Sequence, residues 1–206
     1  MIHPVRLVLL RHGEVEERYH RVFGGRIDMN LSPRGHEQAA ALAGYLRHRP
    51  LDAVYVSPLR RAQQTLAPIL SHCPQPPVTL PGLREVDFGD WTGLSWEQVH
   101  ARFQISAFQW LDQIEEGAIP GGESAADFRA RVAPCLEQIL RDHPGQTVGV
   151  VCHGGVIRMA LSILLELPLP KTAGLEIDYA SVTRVERHAH KTELTLLNFA
   201  PWRDLP

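Results

Sequence analysis

The run Val5-Arg6-Leu7-Val8-Leu9-Leu10, which passes directly into Arg11-His12-Gly13-Glu14, decides the architecture. Five of its six residues are apolar. That is too short for a buried helix and too continuous for a strand with one face in water, so it reads as a strand covered on both sides. Thr147 to Cys152 has the same character and ends on His153-Gly154-Gly155, and Asp52 to Val56 is a third such strand, ending on Ser57-Pro58. The intervals are helical. Ser32 caps a helix with Pro33 in its first turn, and Ala39, Leu42, Ala43 and Leu46 line one face of it. Leu59, Ala62, Leu66 and Ile69 mark a helix after Ser57-Pro58, and Val156, Met159, Ala160, Ile163 and Leu164 mark one after His153. Strands alternating with helices predict βαβ units with right-handed crossovers. The expected fold is therefore α/β, a three-layer α/β/α arrangement with a mostly parallel sheet flanked by helices.

The rest of the chain fits around that frame. Val78-Thr79-Leu80 is a short strand in a proline-rich connection, and Ser95 to about Glu116 follows a helical pattern. Ser124 with Asp127 resembles a capping box opening a helix whose stripe is Phe128, Val132, Leu136, Ile139 and Leu140. Pro134 lies inside that stripe and predicts a kink or a split. Leu175 to Glu186 and Thr192 to Phe199 read as strands, a hairpin forming an antiparallel edge whose apolar patches leave a homodimer open. The chain has 206 residues, 44% of them apolar and 21% charged, which predicts one globular domain over 1–206. Its net charge of −2 gives no reason to expect nucleic acid as a partner. Neither a membrane-spanning apolar run nor a signal-peptide layout is found. Cys73, Cys135 and Cys152 are odd in number with no CxxC spacing, so a reducing cytoplasm is the expected compartment.

Open parallel sheets bind ligands at the carboxyl ends of their strands. Two strands here end on histidine followed by glycine, and arginines stand beside both the first and the second strand end. Glycine lets the chain turn sharply and a ligand approach the backbone, and guanidinium forks match phosphate oxygens. A lone histidine after a strand is more often structural, and Cys152, at the end of an apolar run, reads as a small buried residue rather than a nucleophile. The histidines at 3, 20, 36, 48, 72, 100, 143, 188 and 190 lack metal-ligand spacing and read as surface or turn residues. Trp91, Trp96, Phe103, Phe108 and Trp110 read as core, with part of the cluster available as a lid.

Taken together, Arg11-His12-Gly13-Glu14, Phe23 to Gly25 with Asp28, Ser57 to Thr65, Leu83 to Gly93, Pro120 to Ser124 and His153 to Val156 resemble, in order, the motif blocks of the histidine phosphatase superfamily, also called phosphoglycerate mutase-like. The resemblance implies two-step phosphoryl transfer. His12 would be the nucleophile, Glu85 the general acid and then base, and Arg11, Arg61 and a cationic His153 would hold the phosphate oxygens, with no metal and no cofactor. The substrate would be a small-molecule phosphate ester and inorganic phosphate a product. Gly25 and Arg18 are the substrate-side candidates. Arg18 stands where many members carry a phosphate-contacting asparagine, so it either replaces that contact or points to solvent, and Val15 replaces a common threonine. The loop after Glu85 is the short version of the phosphatase branch. The glycine-rich blocks resemble α-ribazole phosphatase-type members. The alternatives are a 2,3-bisphosphoglycerate-dependent phosphoglycerate mutase and a non-catalytic phosphate-ester-binding module.

Overall fold

Residues 3–205 are described by a computed structural model. Met1, Ile2 and Pro206, the ends of the expected 1–206 domain, and the side chains of His72 and Ala107 lie outside the described residues. The strands are β1 (Val5–Arg11), β2 (Ala53–Val56), β3 (Val78–Thr79), β4 (Thr147–Cys152), β5 (Val182–Arg187) and β6 (Thr192–Phe199). They form one sheet in the order β3-β2-β4-β1-β5-β6. The first four in that order run parallel, and β5 and β6 complete it as an antiparallel edge. The helices are α1 (Pro33–Leu46), α2 (Arg60–Leu66), α3 (Trp96–Phe103), α4 (Trp110–Glu115), α5 (Ala125–Asp142), α6 (Gly154–Leu164) and α7 (Pro201–Asp204).

The continuous apolar runs are explained by burial on both faces. Leu7 and Leu9 of β1 pack with Phe128 and Val132 of α5 and Ile157 and Leu161 of α6. Val8 and Leu10, pointing the other way, pack with Leu42 and Leu46 of α1 and Ala62 and Leu66 of α2. The helix starts follow their caps: Ser32 accepts the Gly35 amide, Ser124 accepts the Asp127 amide, and Ser95 with Gln98 forms a complete capping box.

Three expectations need correction. Ser95 to Glu116 is two helices, because Gln104 adopts φ +59° and closes α3. Pro134 does not split α5, which runs unbroken from Ala125 to Asp142. Pro134 and Ala130 both face solvent, so water can take the carbonyl that the proline leaves without a donor. Finally, the strand expected from Leu175 begins only at Val182, which pairs with Leu10 near the end of β1. Ser181 and Ala180 still bond Arg11 and His12 through the backbone, but Ala180 adopts φ +48°, which ends the extended run, and Tyr179 before it lies against the Arg11 and His12 side chains.

Candidate active site

β1 and β4 are neighbours, with Arg11 opposite Cys152, so the residues that follow them emerge side by side. The amide of His12 donates to the Cys152 carbonyl at 3.0 Å, and its own carbonyl accepts from Ala180 at 3.0 Å. His12 and His153 are both buried, with ring centroids 5.1 Å apart. Their hydrogen bonds assign the tautomers. His12 Nδ1 lies 2.7 Å from the Gly13 carbonyl, which can only accept, so Nδ1 carries the proton and Nε2 keeps its lone pair. Arg61 Nε donates to that Nε2 at 3.2 Å and to His153 Nδ1 at 3.2 Å. His153 therefore holds its proton on Nε2 and donates it to Ser57 Oγ at 2.7 Å.

The cations are held in place without neutralisation by an acid. Arg61 donates to the carbonyls of Ile27 at 2.7 Å and Gly25 at 2.9 Å, and Arg11 donates to the Ile177 carbonyl at 2.5 Å. Arg11 also lies 4.1 Å over the Tyr179 ring, and its Nε is buried without a partner among the described residues. Burial, then Arg61 and Arg11, hold His12 well below the usual histidine range, outweighing the Gly13 bond that favours its proton. The expectation of a cationic His153 is corrected in this structure: burial first, then Arg61, His12 and Arg11, push it well below the usual histidine range. Burial lowers Arg61 itself to about 10, which still leaves it charged at neutral pH. Burial raises the Cys152 thiol, in keeping with its reading as an inert core residue.

Glu85 sits at the lip of the same cavity, which has a volume of about 160 Å³ and is lined also by Arg11, His12, Gly25, Arg61 and Tyr179. Its carboxylate accepts the Val86 amide at 3.0 Å and the Gly155 amide, at the start of α6, at 3.1 Å. Glycine at 155 leaves room for this carboxylate: a Cβ there would lie 2.4 Å from Glu85 Oε1 and push it aside. Gly25, at φ +46°, contributes its carbonyl to Arg61. Six of the seven site candidates thus converge. Arg18 does not: its side chain is 68% exposed, paired with Glu16 at 3.2 Å and outside the cavity lining. Arg60 is likewise exposed and bonded to Asp28.

Several contributors were not singled out by sequence reasoning. Thr65 Oγ accepts the Gly13 amide at 2.9 Å and donates to the Arg61 carbonyl at 2.7 Å, tying nucleophile loop to arginine. Ser57 and Tyr179 belong to the same set. Ser57 stood at a strand end, which was the available signal, whereas Tyr179 was hidden inside a stretch read as strand. For metal, Glu186, His188 and Glu193 bring ligand atoms within 4.8 Å of one another on the β5–β6 hairpin. Lys191 already holds Glu193 at 2.6 Å there, and none of the three lines the cavity.

A neutral imidazole whose unprotonated nitrogen lines the cavity, set beside two guanidiniums at the mouth of a parallel sheet, can accept a phosphoryl group. Comparison with known proteins agrees with that chemistry. Residues 7–200 match the model of the histidine phosphatase superfamily, branch 1. Phosphoserine phosphatase 1 of Hydrogenobacter thermophilus is 31% identical over 194 residues, covering 94% of this chain and 92% of the relative. Among solved structures, a mycobacterial glucosyl-3-phosphoglycerate phosphatase superposes with a TM-score of 0.85 at 30% identity, covering 94% of this chain and 98% of that one. The α-ribazole phosphatase of Shigella flexneri gives 0.81 at 27% identity, covering 94% and 96%. The chain belongs to the histidine phosphatase superfamily.

Proposed function

We propose that this phosphatase hydrolyses small-molecule phosphomonoesters in two steps through a phosphohistidine at His12 Nε2. In the first step the Nε2 lone pair forms the N–P bond as the ester P–O bond breaks, and Glu85 delivers its proton to the departing alcohol oxygen. In the second, Glu85 takes a proton from water, the water oxygen attacks phosphorus, the N–P bond breaks, and inorganic phosphate leaves. Arg11 and Arg61 hold the equatorial oxygens. The arriving dianion favours a proton on His153, whose ring then joins them as a donor. The observation that carries this reading is the His12 tautomer: the Gly13 carbonyl fixes the proton on Nδ1 and leaves Nε2 unprotonated, with its lone pair held by Arg61 Nε, and with the unpartnered Nε of Arg11 in the same cavity. The arginines supply the charge a metal would bring, so the reaction runs without one, in a cytoplasmic setting, with residues 1–206 as one domain.

The short turn after Glu85 favours hydrolysis over the mutase alternative. Gly89–Trp91 winds into a 3₁₀ turn with Trp91 fully buried, so this stretch packs into the core instead of extending over the site. α-Ribazole phosphate stays among the candidate substrates, with the phosphoserine and glucosyl-3-phosphoglycerate chemistry of the relatives. The test is phosphate release from a panel of monoesters in EDTA. We expect turnover in the wild type and a loss of at least about a thousandfold in His12→Ala; activity retained in that variant would overturn the reading. Ester binding without turnover across the panel would favour the binding-module alternative.

A further inference from the structure

A second cavity, of about 350 Å³, opens beside the first and shares Arg11, Glu85, Phe88, Trp96 and Trp110 with it. One wall is aromatic. Trp96 and Phe108 meet edge to face at 5.1 Å, Trp110 meets Phe88 at 5.5 Å, and Phe108 is 75% exposed. The lining also includes Arg158, on α6 one turn past Gly155. Its Nη1 donates to the carbonyls of Thr172 and Leu175, which pins the guanidinium in place. Among the described residues Nε and Nη2 donate to nothing, and no carboxylate pairs with it. Burial first, and then the charge of Arg11, lower Arg158 from its usual value, while Glu85 works in the opposite direction, so all three share one electrostatic neighbourhood. The charged groups lining the cavity are two cations and one acid, and that acid is already bonded to the Val86 and Gly155 amides.

We infer that Arg158 is an anion-recognising specificity residue, and that the leaving alcohol carries a flat or ring-shaped apolar body and a carboxylate or second phosphate. The inference rests on the phosphatase reading above and names the substrate class of that site. The body lies against Trp96 and Trp110, where stacking and apolar burial hold it. The anion meets Nε and Nη2 of Arg158, whose planar fork suits two oxygens. An alcohol carrying an ammonium group in that position is disfavoured, because the cavity has no free carboxylate to receive it.

The test uses p-nitrophenyl phosphate and three larger esters: (4-phosphonooxyphenyl)acetate, its methyl ester, and 4-(aminomethyl)phenyl phosphate, with the 3-substituted isomers beside them. The methylene spacer keeps the leaving-group acidities alike, so differences in kcat/KM report recognition. A charge-assisted hydrogen bond predicts that the acid is preferred over its methyl ester by about tenfold or more, mainly through KM, with the amine poorest. In Arg158→Gln, which keeps an amide donor for the Thr172–Leu175 turn, the acid-to-ester ratio falls toward one. Arg158→Lys retains part of it. The ratio is taken within each variant, so a general loss of activity does not affect it. Equal turnover of acid and ester by the wild type, or a preference that survives Arg158→Gln, overturns the inference while leaving the phosphatase reading intact. Failure to hydrolyse even p-nitrophenyl phosphate overturns both.

Discussion

His12 and His153 illustrate how a residue's neighbours fix its chemistry. An exposed imidazole titrates near 6.5, yet these two rings share one N–H of Arg61 and are buried beside it. Both should stay neutral well below pH 6.5 in the free protein. Histidine ¹⁵N shifts followed through a pH titration check this. Saturating inorganic phosphate should move the His153 titration upward, because the dianion offsets the arginine field. Arg18 teaches the converse lesson. Its position in the motif suggested a phosphate contact, but the Glu16 carboxylate nearby pairs with it outside the pocket. Spacing along the chain does not say which of two acceptors a long side chain will choose.

At the scale of elements, α5 positions the loop that carries the acid. Arg131 bonds both oxygens of Glu123 at 2.6 and 2.8 Å, and it also donates to the carbonyls of Gly82, Arg84 and Glu85 at 2.6–3.1 Å. One guanidinium thus anchors the backbone on either side of the acid while sitting largely buried against Glu123. Arg131→Met should leave Glu123 with only the Arg26 guanidinium at 3.7 Å and the Asp87 amide at 3.2 Å, and lower stability by about 1–3 kcal/mol, read from chemical denaturation. Its kinetic effect should depend on the leaving group. Hydrolysis of alkyl phosphates, which need a proton from Glu85, should fall about ten- to a hundredfold. p-Nitrophenyl phosphate, whose leaving group departs as a stable anion, should lose much less. An equal loss with both substrates would mean that the whole site had shifted rather than the acid alone.

For the whole molecule, the buried neutral histidines make folding sensitive to pH. The unfolded chain takes up protons at both positions near 6.5, whereas the folded protein resists until much lower, so the unfolded state binds more protons in that window. Their contribution is fully present above 6.5 and is lost as the pH falls below it, with a limiting slope of about 1.4 kcal/mol per pH unit for each group. Denaturation midpoints measured from pH 7.5 down to 5 should show this decline, and His12→Gln should flatten it. The layered fold was legible because β1, β2 and β4 are apolar on both faces and end on unmistakable polar residues, and five of the six converging site residues stand at or beside those ends or in the loop of Glu85, Gly25 coming only from the motif blocks. What escaped the sequence was long-range. The stretch before Val182 leaves the sheet at Ala180, whose φ of +48° breaks the extended run, and an alanine gives no sign of that in the sequence. Arg158 carried a faint signal, three residues after Gly155 and therefore on the same side of α6, but the aromatic wall that gives it meaning comes from a distant part of the chain.

The arginines proposed to grip the phosphate are tethered by the backbone carbonyls of Gly25, Ile27 and Ile177, and among the described residues no carboxylate is bonded to either one. No internal anion therefore has to be displaced when an ester docks, and none stands ready to take over when the ester is spent. Under the proposed chemistry, liberated phosphate would meet the same undiminished grip as the substrate it came from. Added inorganic phosphate should therefore slow turnover competitively, the pocket acting as its own brake, which initial rates measured against rising phosphate would check.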